Sequence, residues 1–528
     1  MKWLWAIAAL PLAVHARLRD GRPNGNFPRP PEVPRVQADS APVVDVNGQT
    51  LPPLTTTYFF DQPIDHNNPG RGTFKQRFWH TWEWYKPGGP IILFTPGEGN
   101  ADGYEGYLTN RTINGQIAQQ EHGATIILEH RFYGESNPVP DLSAPNLKFH
   151  TIQQAIDDLE YFAKNVKLAM PGGDSVGPTQ APWVLVGGSY SGALTSWTMV
   201  NKPGLFRAGY ASSAVVQAIV DFWQYFEPIR QSMPKNCSSD VQAVISHIDK
   251  VFTFGPKAEI TKIKATFGLQ NLTHLDDVAG ALRNNLWDWQ SLSPNSGPNS
   301  RFFKFCDALE VKDGVSAPAS GWGADHALTA WGQFWKSGYL ADLCDDQDIE
   351  TCLGTYNPKN EFFTDVSLGN DYRSWTWIVC NEVGFYQDGA PLGWPTLVTR
   401  LAQPISDERQ CGYFFPGVKL PLVPAAARVN TLYKGWHVDI DRLFFANGQR
   451  DPWRDATLSA DGTNFQSTPH QPIGLSDGFH CSDLSTTNGN VDSTVKAVQK
   501  QALASMHEWL KDFVPATKTK RTLRWERE

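Results

Sequence analysis

Val184-Leu-Val-Gly-Gly-Ser-Tyr-Ser-Gly-Ala-Leu194 is the stretch on which the fold turns. Its apolar start reads as a buried strand, a Gly-Gly step ends that strand, and Ser189 opens a run able to start a helix. A sharp strand-to-helix turn of this kind lifts a serine hydroxyl clear of its neighbours and is called a nucleophile elbow. Small residues are needed two positions to either side, where strand and helix cross closely. Gly187 and Ser191 fill those places around Ser189. The usual pattern has Gly at the second place, so Ser191, itself flanked by Ser189 and Ala193, is a rival. Ser189 is preferred because it follows the strand directly.

Short apolar runs recur on both sides of the elbow. Pro90-Ile-Ile-Leu-Phe-Thr95, Ala124-Thr-Ile-Ile-Leu128, Ala208-Gly-Tyr-Ala-Ser212, Arg442-Leu-Phe-Phe-Ala446 and Gln471-Pro-Ile-Gly-Leu475 read as strands. Helical spacing runs from Ile152 to Met170 and from Val491 to Phe513. Strands alternating with helices imply a parallel sheet covered on both faces. Residues 218–355 break this rhythm, being helical and aromatic. Together these features predict an α/β-hydrolase fold, residues 56–217 and 356–515, with an inserted helical cap over 218–355. There are no internal repeats.

That fold orders its partners as an acid after a late strand and a histidine later still. Asp451, in Asn447-Gly-Gln-Arg-Asp-Pro-Trp-Arg454, fits the acid, with Asp455 as its competitor. Of His470, His480 and His507, the second follows the last short strand, in Asp477-Gly-Phe-His-Cys-Ser-Asp483, and is chosen. His480 would take the proton of Ser189 as it attacks a carbonyl, and Asp451 would orient and stabilise the imidazolium. The oxyanion would need backbone N–H donors, one from Tyr190 and one from the loop after Thr95, at Glu98 or Gly99.

The ends and the composition point outward from the cell. Lys2 followed by an apolar run from Trp3 to Val14, with small residues at Val14-His15-Ala16, reads as a signal peptide over 1–16. Residues 17–55, rich in Pro, Asn and Arg, are expected to be a mobile leader or propeptide, and 516–528 a frayed basic tail. Asn110, Asn236 and Asn271 begin N-glycosylation tripeptides. The seven cysteines include no metal-like Cys-x-x-Cys pair. In an oxidising compartment they would form up to three disulfides. Spacing does not fix the pairing. The arrangement adopted joins Cys237 to Cys306, Cys344 to Cys352 and Cys380 to Cys411, leaving Cys481 free. The chain of 528 residues has a formal net charge of −8 and no basic stripe for nucleic acid. No metal, cofactor or membrane span is expected, and the protein is expected to be a monomer or homodimer.

Longer motifs carry a resemblance. Gly187-Gly-Ser-Tyr-Ser-Gly192, Glu129-His-Arg-Phe-Tyr-Gly-Glu-Ser136, Asn447-Gly-Gln-Arg-Asp-Pro-Trp453, Gly478-Phe-His-Cys-Ser-Asp-Leu484, Asp61-Gln-Pro-Ile-Asp-His66 and Trp377-Ile-Val-Cys-Asn-Glu382 resemble the lysosomal Pro-X carboxypeptidase family of serine peptidases. Within it the chain is most similar to the fungal acid prolyl endopeptidases, through Thr95-Pro-Gly-Glu98, Ala101-Asp-Gly-Tyr-Glu-Gly-Tyr-Leu-Thr-Asn110 and Asp451-Pro-Trp-Arg-Asp455. The resemblance implies cleavage after proline at acidic pH, in proline-containing peptides, with Ser189, Asp451 and His480 as the triad. Arg450 stands where that branch carries Tyr. Trp377 and Trp453, each beside a family motif, are expected to wall a proline pocket. Register stays open among endopeptidase, Pro-X carboxypeptidase and dipeptidyl-peptidase. A lipase or esterase is the alternative of another class. The expected location is secreted, with a vacuole or lysosome as the alternative.

Overall fold

A computed structural model of the chain describes residues 18, 22–345 and 347–516. The expected signal peptide and residues 517–528 of the tail lie outside the described residues. An eight-stranded sheet forms the centre: β1 (Tyr58–Pro63), β2 (Thr73–Thr81), β3 (Ile91–Thr95), β4 (Ala124–Leu128), β5 (Trp183–Gly188), β6 (Ala208–Ser212), β7 (Leu443–Gly448) and β8 (Ile473–Ser476). Their spatial order is β1-β2-β4-β3-β5-β6-β7-β8. Strands β3 to β8 pair in parallel, whereas β2 runs antiparallel to both β1 and β4. The first two strands were not legible as strands, and they extend the sheet at one edge.

Strand β5 shows why the sheet is covered twice. Every one of its residues is buried. Trp183 and Leu185 join one apolar cluster, with Ile156 and Leu159 of α2 (Ile152–Asn165) and Leu194 and Trp197 of α3 (Ser189–Asn201). Val184 and Val186 join another, with Ile113 and Ile117 of α1 (Ile113–Glu121) and with Val498 and Met506 of the late helix Ser493–Leu510. Side chains two apart on a strand share a face, so a continuous apolar run feeds both layers.

Between β6 and β7 the chain is largely helical. Its helices α4 (Lys235–Phe254), α5 (Arg301–Glu310) and α6 (Ala324–Phe334) pack on one another. Val241, Val244, Ile245, Ile248 and Phe252 recur at helical spacing and form the buried stripe of α4. The three disulfides are Cys237–Cys306, which ties α4 to α5, Cys344–Cys352 and Cys380–Cys411, while Cys481 is free and buried.

Two expectations change. Among the described residues, no strand of the large sheet lies between Ser212 and Leu443, so the stretch outside that sheet extends well past residue 355. Residues 356–442 supply helices such as Asp371–Ile378, Pro404–Phe414 and Ala426–Tyr433, and a short strand, Gly384–Tyr386, that pairs with Ile219–Asp221. The leader does not behave as a loose arm over its described first part. Arg22, Asn24, Asn26, Phe27, Pro31 and Val33 are buried. Without apolar periodicity the segment looked unstructured, yet it is held by side-chain hydrogen bonds, which leave no periodic trace. Among the described residues, no helix is long and apolar enough to cross a membrane.

Candidate active site

The elbow is built as its sequence requires. Ser189 is the first residue of α3 and has φ of 58°, the left-handed region that side chains with a Cβ rarely adopt. A Cβ on Gly187 would lie 2.0 Å from the Ser191 carbonyl oxygen, so only glycine fits there. Ser191 Oγ donates to the Gly188 carbonyl at 2.7 Å and accepts from the Gly188 N–H at 3.1 Å. The rival hydroxyl is thus engaged in closing the turn. Ser189 Oγ is buried and has no hydrogen-bond partner.

Asp451 and His480 meet beyond the ends of β7 and β8. His480 Nδ1 lies 2.9 and 3.0 Å from the two Asp451 oxygens, and Asp451 is fully buried. Asp451 Oδ1 also accepts the Trp453 N–H at 2.9 Å, which fixes the carboxylate against the turn that Pro452 shapes. Burial pulls the His480 imidazole down, but the Asp451 carboxylate beside it overrides this and lifts it well above its ordinary value. The competitors fall elsewhere. Asp455 accepts the Asp461 N–H at 2.8 Å. His470 is largely exposed, 3.6 Å from Asp441, and His507 pairs with Glu121 at 3.0 Å on the surface.

Below the histidine lies a support that the sequence did not reveal. Tyr210 and Ser212 of β6 donate to Asp483 at 2.6 and 2.9 Å, and Cys481 N–H donates to Ser213 Oγ at 2.9 Å. Asp483 is buried, and burial pushes its carboxyl up to about 6 despite those donors. The loop after β3 is held from the other side. Glu129 accepts the Ala101 N–H at 3.0 Å and pairs with Arg77 at 2.6 Å. Asp371 accepts the Asn100 N–H at 3.0 Å. Gly97, at φ of 87°, packs that loop onto Ser191, 3.1 Å from a would-be Cβ to the Ser191 Cβ. Glu98 is fully buried with no partner for either carboxyl oxygen, and burial keeps its carboxyl protonated well above the ordinary range. Tyr190 is buried, its hydroxyl 3.2 Å from His130 Nε2.

The two tryptophans divide. Trp453 lines an aromatic cavity with Trp375, Phe385 and Tyr386, and its ring lies 6.4 Å from that of His480. Trp377 does not line it. Its Nε1 donates to the His150 carbonyl at 2.9 Å and its ring meets Phe415 edge-on, so it packs the interior. Arg450, next to Asp451 in sequence, pairs with Asp477 at 2.5 Å, with its guanidinium over Phe479. Asn110 and Asn271 are exposed, as glycan acceptors must be, whereas the half-buried Asn236 spends its amide on Ser316 and Ala317.

A serine on a strained elbow and a buried histidine–carboxylate pair, on this sheet order, define an α/β-hydrolase of the serine-hydrolase kind. The chain belongs to the serine carboxypeptidase S28 family, whose model matches residues 62–502. It is a serine-type peptidase. Two serine proteases of Bipolaris victoriae, vicPa and vicPb, are each 37% identical to it, the matches covering 86% of this chain and 88% and 89% of theirs. A probable extracellular serine carboxypeptidase of Arthroderma benhamiae is 31% identical, over 83% of this chain and 64% of that protein.

Proposed function

We propose that the protein is a secreted serine peptidase that cleaves on the carboxyl side of proline, at acidic pH, through an acyl-enzyme on Ser189. The carrying observation is the combination of an unpartnered Ser189 Oγ on a positive-φ elbow with His480 Nδ1 2.9 Å from Asp451. Ser189 Oγ attacks the peptide carbonyl while His480 Nε2 accepts its proton. The same proton then passes to the leaving amine, and water repeats the cycle on the acyl-enzyme. Asp451 holds the imidazole in the tautomer that keeps the proton on Nδ1. The oxyanion donors in this reading are the amides of Tyr190, the residue after Ser189, and of Glu98, in the loop after β3.

The aromatic cavity beside His480 supports proline as the residue before the cut. A rigid, apolar ring suits flat walls such as Trp453 and Trp375. Trp375 replaces Trp377 in this assignment. Secretion is supported by three disulfides and by the Arthroderma relative's description as extracellular. The family description and that relative's name favour a carboxypeptidase register as the second reading. A peptide blocked at both ends with one central proline separates them. Cleavage after that proline at acidic pH supports endopeptidase action, and cleavage only of peptides with a free C-terminus supports the carboxypeptidase. Turnover of neither, with strong hydrolysis of long-chain esters, would contradict both.

A further inference from the structure

The leader runs through the cleft between sheet domain and cap. Pro31 carbonyl oxygen lies 3.4 Å from His480 Nε2, the atom that must receive the serine proton. On one side Tyr104 Oη donates to the Val33 carbonyl at 3.2 Å and Tyr107 Oη to the Pro34 carbonyl at 2.7 Å. On the other, Gln290 Nε2 donates to the Pro30 carbonyl at 3.3 Å and Tyr372 Oη to the Pro28 carbonyl at 3.4 Å. Phe27 anchors the segment among Phe362, Tyr372 and Phe414, with ring centroids 5.3 to 5.5 Å away. Val33 sits over the elbow, its Cγ1 2.5 Å from where a Cβ on Gly188 would stand.

The pattern of these bonds is chemically selective. Phe27-Pro-Arg-Pro-Pro-Glu-Val-Pro34 has prolines at 28, 30, 31 and 34, and proline offers a carbonyl but no N–H. The four donors named above all address carbonyls, and all are side chains. A channel so furnished fits an extended proline-rich chain, whose backbone groups lie outward and are not paired with each other. Gln290 links the channel to the aromatic cavity, since its Oε1 accepts Trp453 Nε1 at 2.8 Å. With Nδ1 against Asp451 and the Pro31 carbonyl set before Nε2, the leader occupies the place where the serine hydroxyl must hand over its proton.

We propose that residues 22–36 are a built-in inhibitor, and that the channel they trace is the binding path for an extended, proline-rich peptide substrate. This rests on the reading of Ser189 and His480 given above. The leader blocks the reaction by occupying the cleft and the Nε2 position. Its departure opens Tyr104, Tyr107, Gln290 and Tyr372 to the carbonyls of an incoming peptide.

The test uses the full chain, with a recognition sequence for a site-specific protease inserted between Ser40 and Ala41, which are exposed. After folding the chain is cut and passed over a sizing column at low concentration. The rate of fluorophosphonate labelling at Ser189 is expected to rise at least tenfold, and a synthetic peptide of residues 22–38 should restore the slow rate competitively. In the uncut chain, Phe27→Ala is expected to raise labelling severalfold by loosening the anchor. Equal labelling before and after verified loss of the leader, with no effect of Phe27→Ala, would overturn the proposal while leaving the triad intact. If Ser189 labels in neither state, yet a fluorescent 22–38 peptide binds the cut protein and a proline-rich peptide displaces it, the channel stands and the triad reading falls. Failure of that peptide to bind at all overturns the proposal.

Discussion

Ser191 Oγ clasps Gly188 at both backbone groups, 2.7 Å from its carbonyl oxygen and 3.1 Å from its nitrogen, and so locks the turn that carries Ser189. The two serines of the motif are therefore expected to fail differently. Ser191→Ala leaves a buried carbonyl and N–H less well satisfied, at a cost of about 1–3 kcal/mol in unfolding free energy. Ser189→Ala should keep the melting temperature and abolish peptide hydrolysis. Denaturant melts together with a peptide assay on both variants check this.

Asp451→Asn is expected to lower kcat by about 10⁴-fold while retaining the fold, because an amide no longer enforces the tautomer with the Nδ1 proton. Circular dichroism and steady-state kinetics on the purified variant give the two readouts. A fall of less than tenfold would assign the acid elsewhere.

The cavity wall gives a paired prediction. Trp453→Leu should reduce the preference for proline over alanine before the cut by about 10–200-fold, the range for a change in apolar pocket fit. Trp377→Leu should leave that ratio unchanged and lower the melting temperature. Matched substrates differing only at that residue measure the ratio.

Stability should rise as the solution is acidified from neutral to about pH 5. Burial lifts Asp371, Asp455 and Asp483 to about 6 and Asp277 and Glu382 to about 7. A carboxyl raised in the fold contributes stability that is present below its unfolded value and is lost as pH climbs through the folded one. Buried His80 and His130, both lowered by burial to about 4, act oppositely, losing stability as pH falls below 6.5. His150, buried and well below its ordinary value, does the same. The carboxyls outnumber these imidazoles, so the melting temperature is expected to be higher at about pH 5 than at about pH 7.5. Calorimetry across that range tests it, and a maximum at neutral pH would contradict it.

The parts of the molecule that were legible in advance are those with a local signature. The run before Ser189, the strands Ala124–Leu128 and Ala208–Ser212, and the order of Asp451 and His480 behind the elbow each announce themselves in a few adjacent residues. Which tryptophan of the helix Asp371–Ile378 reaches the aromatic cavity was not legible: Trp375 lines it and Trp377 does not. Two positions apart on a helix is about half a turn, so they face opposite ways. Asp483 was hidden because its donors, Tyr210 and Ser212, are some 270 residues away, at separations of 273 and 271. The leader was read as mobile because proline-rich chain without periodicity looks the same whether it floats or is gripped by side chains from elsewhere.

The account rests on Ser189 as the nucleophile. Its most direct test is fluorophosphonate labelling of the leader-released protein, followed by peptide mapping in a mass spectrometer. The account predicts one adduct, on Ser189, lost in Ser189→Ala and retained in Ser191→Ala. An adduct on Ser191, or no adduct on either serine, would contradict it.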